Sequence, residues 1–160
     1  MTADLNINWE IEVLKVIKKL KGDFSSKVQI SAVPVGKISD FSMEQVIPIL
    51  TFLETDPRSE IAIAWLEKIR RFIEVNRPKL LSVGNQRFGG ARHARYVLEA
   101  MATLMAVASL LTKQIIYYNA TCTVFDALNK VSKGTPWHSE SSSKLVENIV
   151  FNPRCFVCEI

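Results

Sequence analysis

Glycine and proline are scarce in this sequence: its 160 residues contain six of each. These two residue types mark turns and end regular elements, so their scarcity predicts few turns and long elements. Apolar residues make up 48% of the chain and charged residues 22%, which is typical of a globular domain rather than a disordered chain. We therefore expect a single helical domain over 1–160, long enough to bury a core.

Long apolar runs are also missing. The best candidate for a membrane span, 96–118, has an uncharged stretch of only 13 residues (100–112) between Glu99 and Lys113. A span needs about 20 apolar residues, so we interpret this stretch as a buried core helix and expect no membrane association. The N-terminus lacks the basic cluster and apolar run of a signal peptide.

Cysteines are few, and their number is odd: Cys122, Cys155 and Cys158. Without an export signal this favours free thiols in a reducing compartment, and hence a cytoplasmic protein. The last two have the spacing of a zinc knuckle, but zinc takes four ligands and a second pair is missing. We therefore predict no metal and no cofactor.

Recognisable catalytic motifs are absent. The chain has no Gly-x-Ser-x-Gly elbow, no glycine-rich phosphate loop and no acid–base pair of carboxylates among apolar residues. No motif places it in a family. We predict a non-enzymatic protein without a small-molecule substrate. A small enzyme that uses Cys122 or the terminal cysteines is the catalytic alternative, and it would need a perturbed thiol.

The apolar spacing predicts an all-α, single-domain bundle of about six helices around a long central helix at about 91–118. Small residues at 100, 102, 106 and 108 would let neighbouring helices approach this central helix closely. Asp56 before Pro57 has the pattern of a cap and first residue of a helix. Further helices are expected at about 9–21, 121–133 and from the serines at 141–143. An irregular connection is expected at about 22–40 and a basic connection at about 77–91.

Positive charge is concentrated in one part of the chain, residues 68–95, which we call the basic segment. It holds eight bases and one acid, a net charge of +7, whereas the other 132 residues carry a net −3. Six of the eight bases are arginine, although lysine outnumbers arginine 12 to 8 in the whole chain. Guanidinium groups present a rigid fork of donors that matches phosphate oxygens.

The centre of the basic segment has further features of a phosphate site. Gly89 and Gly90 precede the predicted long helix, where backbone N–H groups and the helix dipole favour an anion. Phe88 beside them could stack on an unpaired base. The candidate nucleic-acid-binding residues are Arg70, Arg71, Arg77, Lys79, Arg87, Phe88, Arg92, His93 and Arg95.

These features predict that the chain binds the backbone of RNA or single-stranded DNA. By analogy of size and charge, it would suit a small subunit of a larger nucleoprotein complex that contacts other protein subunits or itself. Helical small subunits of CRISPR effector complexes and viral RNA-binding proteins are examples of this kind. The main alternative is a helical adaptor whose basic segment docks an acidic protein partner. A third reading is that the arginines only solubilise the chain, or pair with acids from the net-negative remainder of the sequence.

Overall fold

The computed structural model describes residues 14, 15, 17–19, 21, 22, 46–56, 58–78, 91–131, 137 and 140–152. At 46–48, 91–97, 131 and 141 it describes the backbone alone. The described part contains helices and no strand, so the predicted all-α fold is confirmed. Its longer elements, in chain order, are α1 (Val46–Thr55), α2 (Glu60–Val75), α3 (Ala91–Thr112), α4 (Ile115–Val131) and α5 (Glu140–Phe151).

Helix α3 is the centre of the bundle, as predicted. All its side chains from Leu98 to Leu110 are buried, over a length of roughly 20 Å at 1.5 Å per residue. It packs against α2, α4 and α5, and most extensively against α4. Alanines at 100, 102, 106 and 108 are all buried. Their small side chains let these neighbours approach the α3 backbone closely.

Helix α3 ends at Thr112, six residues before the predicted end at 118. Lys113 has a φ of 60°, a left-handed conformation that ends a helix. Its N–H still donates to the Ser109 carbonyl at 2.9 Å, and the Thr112 hydroxyl accepts from the Gln114 N–H at 3.3 Å. Helix α4 therefore starts at Ile115 rather than near 121, and a two-residue turn joins α3 to α4.

The start of α2 also differs from the prediction. Ser59 is the cap, and its hydroxyl accepts from the Ala62 N–H at 3.4 Å. The Asp56 carboxylate instead accepts from the Arg58 N–H at 3.0 Å, and the Asp56 carbonyl accepts from the Ser59 N–H at 2.9 Å. Asp56 therefore forms the turn before the helix, and the first helical residue is Glu60, three residues later than the predicted Pro57.

The N-terminal and C-terminal elements pack onto this centre. Helical residues between 14 and 22 include the fully buried Ile17, and Lys21 forms an ion pair with Glu54 of α1 at 2.7 Å. Buried hydroxyls of Thr103 and Ser142 lie 2.8 Å apart and join α3 to α5. Gly22, where the irregular connection was expected to begin, is still helical. The rest of that connection, 23–40, and positions 79–90 of the basic connection lie outside the described residues.

No helix in the described part of the chain is both long and apolar enough to cross a membrane.

Candidate nucleic-acid interface

Two arginines of the basic segment lie on α2 with carboxylates around them. Arg70 donates from Nε to Glu67 Oε1 at 2.8 Å, from Nη2 to Glu67 Oε2 at 2.7 Å and from Nη1 to Glu74. Arg71 donates from Nε to Glu67 Oε2 at 2.9 Å. These residues are three or four positions apart, a spacing that brings side chains together on one helix face.

The same carboxylate links α2 to α4. The hydroxyl of Tyr117, a buried residue of α4, donates to Glu67 Oε1 at 2.9 Å. The Arg70 hydrogen bonds, aided by those of Tyr117 and Arg71, outweigh desolvation and lower the pKa of Glu67 to about 2. Burial, together with the hydrogen bond to the Glu67 carboxylate, raises the pKa of Tyr117 to about 12. Near neutral pH the pair is therefore a carboxylate and a neutral phenol.

Because Arg70 and Arg71 are paired with carboxylates of α2, the surplus positive charge of the chain lies elsewhere. Helix α2 contains three acids and three bases, so it carries no net charge. From residue 77 to residue 95, by contrast, five bases occur without one acid. We call 77–95 the acid-free segment. Carboxylates on α2 balance the charge of Arg70. The chain's excess of positive charge lies in the acid-free segment.

Arg77 is the first residue of the acid-free segment, two residues past the end of α2. It is exposed, and none of the carboxylates that the structure describes lies within ion-pair distance of it. An exposed guanidinium of this kind can bind a phosphate without first breaking an ion pair. Arg77 is therefore better placed for a phosphate contact than Arg70.

The other predicted residues divide into two groups. Arg92, His93 and Arg95 lie in the first turns of α3, at the end where the helix dipole favours an anion; their side chains lie outside what the structure describes. Lys79, Arg87 and Phe88 lie outside the described residues altogether. The structure thus brings Arg70, Arg71 and Arg77 together at one end of α2, and the grouping of the remaining six stays a prediction.

A cleft of about 240 Å³ lies between α2 and α4, next to this end of α2. The α2 side supplies Arg70, Ile73, Glu74 and Arg77. The α4 side supplies Ile116, Asn119, Ala120 and Thr123. Sequence reasoning missed this cleft because it had placed 115–118 on the preceding helix.

The network joins two predicted site residues, Arg70 and Arg71, to residues that were not predicted as part of the site. The spacing of Glu67, Arg70 and Glu74 is visible in the sequence, and pairing of the arginines with acids outside the basic segment, such as Glu67, was one of the readings left open. Tyr117 was not predicted as a site residue, because no local pattern signals its hydrogen bond to a residue 50 positions earlier. Outside this network, the burial of Glu99 on α3 was also not predicted. In the sequence, Glu99 only marked the edge of an uncharged stretch, but the residue is 1% exposed.

The described thiol shows no sign of activation. Cys122 is half-buried, and desolvation raises the pKa of its thiol, which is opposite to the change that a nucleophilic cysteine needs. Among the described residues, no group of three or more His, Cys, Asp or Glu side chains is arranged to hold a metal ion. Cys155 and Cys158 lie outside the described residues.

Comparisons with protein-family models, with curated proteins and with solved structures found no match to this chain. The function is therefore argued from its residues alone.

Proposed function

We propose that this protein binds the backbone of RNA or single-stranded DNA, without catalysis, as a small subunit of a larger nucleoprotein complex. One observation carries the proposal: the net positive charge of the chain is confined to the acid-free segment, five bases between Arg77 and Arg95 without an acid. Charge of one sign that is gathered in one segment, rather than paired locally, suits a polyanion.

Two features of the structure support this assignment. Exposed Arg77 lies at one end of the acid-free segment, and the first turns of α3 form its other end. Backbone N–H groups at a helix start, reinforced by the dipole of a 22-residue helix, favour phosphate. Side-chain and backbone donors would then contact successive phosphates of one strand.

Salt dependence tests the proposal. Each phosphate contact releases condensed counterions, so log affinity should fall linearly with log salt, with a slope of about −0.7 per contact for a single strand. Changing Arg77, Arg87, Arg92 or Arg95 singly to alanine should make the slope shallower by about 0.7 and weaken all sequences alike. Phe88→Ala should instead cost about 1–3 kcal/mol of binding free energy and leave the slope nearly intact.

Arg58→Ala is the matched control, because it removes an exposed arginine outside the basic segment. Gel-shift titrations of these variants at three salt concentrations measure both affinity and slope. The proposal fails if the chain has no affinity for RNA or single-stranded DNA at low salt, which is the result expected of an adaptor for an acidic protein. It also fails if Arg58→Ala changes the slope as much as Arg92→Ala does.

A further inference from the structure

The cleft between α2 and α4 is lined by both apolar and polar side chains. Its volume, about 240 Å³, lies below the roughly 300–1,000 Å³ of pockets that enclose a drug-sized ligand. It therefore suits one flat group rather than a whole small molecule. Ile73 and Ile116 line it from opposite helices, and Ile116 is 40% exposed, which offers apolar contact to such a group.

Arg70 lines the cleft, and its guanidinium is held in place. Its guanidinium is held by both carboxylate oxygens of Glu67 and by Glu74, and its side chain is only 14% exposed. Because three of its five N–H donors already bind carboxylates and its charge is matched there, Arg70 is a poor phosphate ligand. A guanidinium plane can still stack on an unpaired base, and a plane that is already held in place loses little entropy when it does so.

Polar groups from α4 lie on the other side. Asn119 is exposed and lines the cleft, so its side-chain amide supplies both a donor and an acceptor. The Thr123 hydroxyl donates to the Asn119 carbonyl at 3.1 Å, which leaves its oxygen able to accept. A base edge presents the complementary mixture of donors and acceptors.

Arg77 joins the cleft to the acid-free segment, because it lines the former and begins the latter. A strand whose phosphate contacts Arg77 would have its neighbouring base next to the cleft. We propose that the cleft holds one unpaired base of the bound strand, which stacks on Arg70 and contacts Asn119 at its edge. This inference rests on the proposed function and adds to it that the bound strand is single and is held partly by a base.

The test compares oligouridylate with an oligomer of the same length in which every nucleotide is abasic. Asn119→Met places a longer, uncharged side chain in the cleft and removes the amide. It should weaken the binding of oligouridylate by about tenfold or more, the effect of losing one stacked base. It should not change the binding of the abasic strand, nor the salt slope for either strand.

Asn148→Met is the control, since it makes the same change at an exposed position of α5 and should leave both affinities unaltered. In the unchanged protein, photocrosslinking with a 4-thiouridine strand should label α4 between residues 116 and 123. The cleft inference is overturned if Asn119→Met binds oligouridylate normally, if both asparagine variants lose affinity equally, or if crosslinks fall only on residues 79–95. If the unchanged protein binds neither strand at low salt, the proposed function fails as well.

Discussion

Arg70 and Arg71 are neighbours with the same charge, yet their surroundings assign them different roles. The Arg70 side chain is 14% exposed and bonded to two carboxylates, whereas that of Arg71 is 73% exposed and bonded to one. An exposed ion pair contributes little to stability, so Arg71 can leave Glu67 for a phosphate at low cost. Arg70 is held more firmly, because leaving would break its hydrogen bonds to both Glu67 and Glu74.

Glu67 is expected to matter more to stability than its position on the helix surface indicates. Changing it to glutamine removes the charge that holds Arg70 and Arg71 and weakens the acceptor for Tyr117. We expect the free energy of unfolding to fall by about 1–2 kcal/mol, the sum of weakened ion pairs and one hydrogen bond to a charged group. Denaturant unfolding at neutral pH measures this difference. Glu74→Gln is the control, because Glu74 is 71% exposed and, among the described residues, forms an ion pair with Arg70 only; it should cost less than about 0.5 kcal/mol.

The effect of Glu67 should also depend on pH. Its pKa in the folded chain is about 2, below the ordinary value of 4.5. A lowered carboxyl pKa stabilises the fold above the ordinary value, and this stabilisation is lost as the pH falls through the folded value. The difference in stability between the unchanged protein and Glu67→Gln should thus be constant above about pH 5 and shrink between pH 4.5 and 2. A difference that stays the same down to pH 2.5 would contradict the assigned pKa.

At the scale of the helix, α3 buries its alanines where the neighbouring helices pack against it. Ala106 is fully buried, so Ala106→Leu should overpack the contacts with the surrounding helices. We expect a loss of about 1–3 kcal/mol in the free energy of unfolding. Ala64→Leu makes the same substitution at an exposed position of α2 and should have little effect. Thermal unfolding of the two variants separates these outcomes, and equal melting temperatures would mean that α3 does not lie in the tight contact described above.

The ends of the helices show where sequence reasoning works and where it fails. The core of α3 was predictable because an uncharged stretch of 13 residues too short for a membrane has to be buried in protein. Its end was not, because Lys113 adopts a left-handed conformation without the glycine that usually signals one. Asp56 was assigned as the cap of α2 rather than to the turn before it, because an aspartate before a proline can begin either a turn or a helix.

At the scale of the whole molecule, the all-α fold could be predicted and the cleft could not. Apolar spacing depends on neighbours within a few residues, and this is enough to identify most helices. The cleft needs α2 beside α4, and so does the hydrogen bond from Tyr117 to Glu67. Such contacts between distant positions leave no periodic pattern in the sequence. The charge asymmetry was predictable only in part. The net charge of the basic segment can be counted from the sequence, whereas the ion pairs that balance the arginines of α2 are seen only in the structure.

The short turn between α3 and α4 has a consequence for the order in which the protein folds. Two residues join the helices that make the most extensive contact in the bundle, so closing this hairpin costs little chain entropy. Contacts between neighbouring segments form early in folding. The α3–α4 hairpin should therefore be structured in the transition state, with α5 docking afterwards.

Two fully buried valines test this order, Val107 in α3 and Val146 in α5. Val107→Ala should mainly slow folding, whereas Val146→Ala should mainly accelerate unfolding. Stopped-flow measurements of the folding and unfolding rates against denaturant show which rate each substitution changes. The reverse pattern would place α5 in the folding nucleus instead. With the expected order, Tyr117 and Asn119 are already in position on α4 before the C-terminal helix completes the fold.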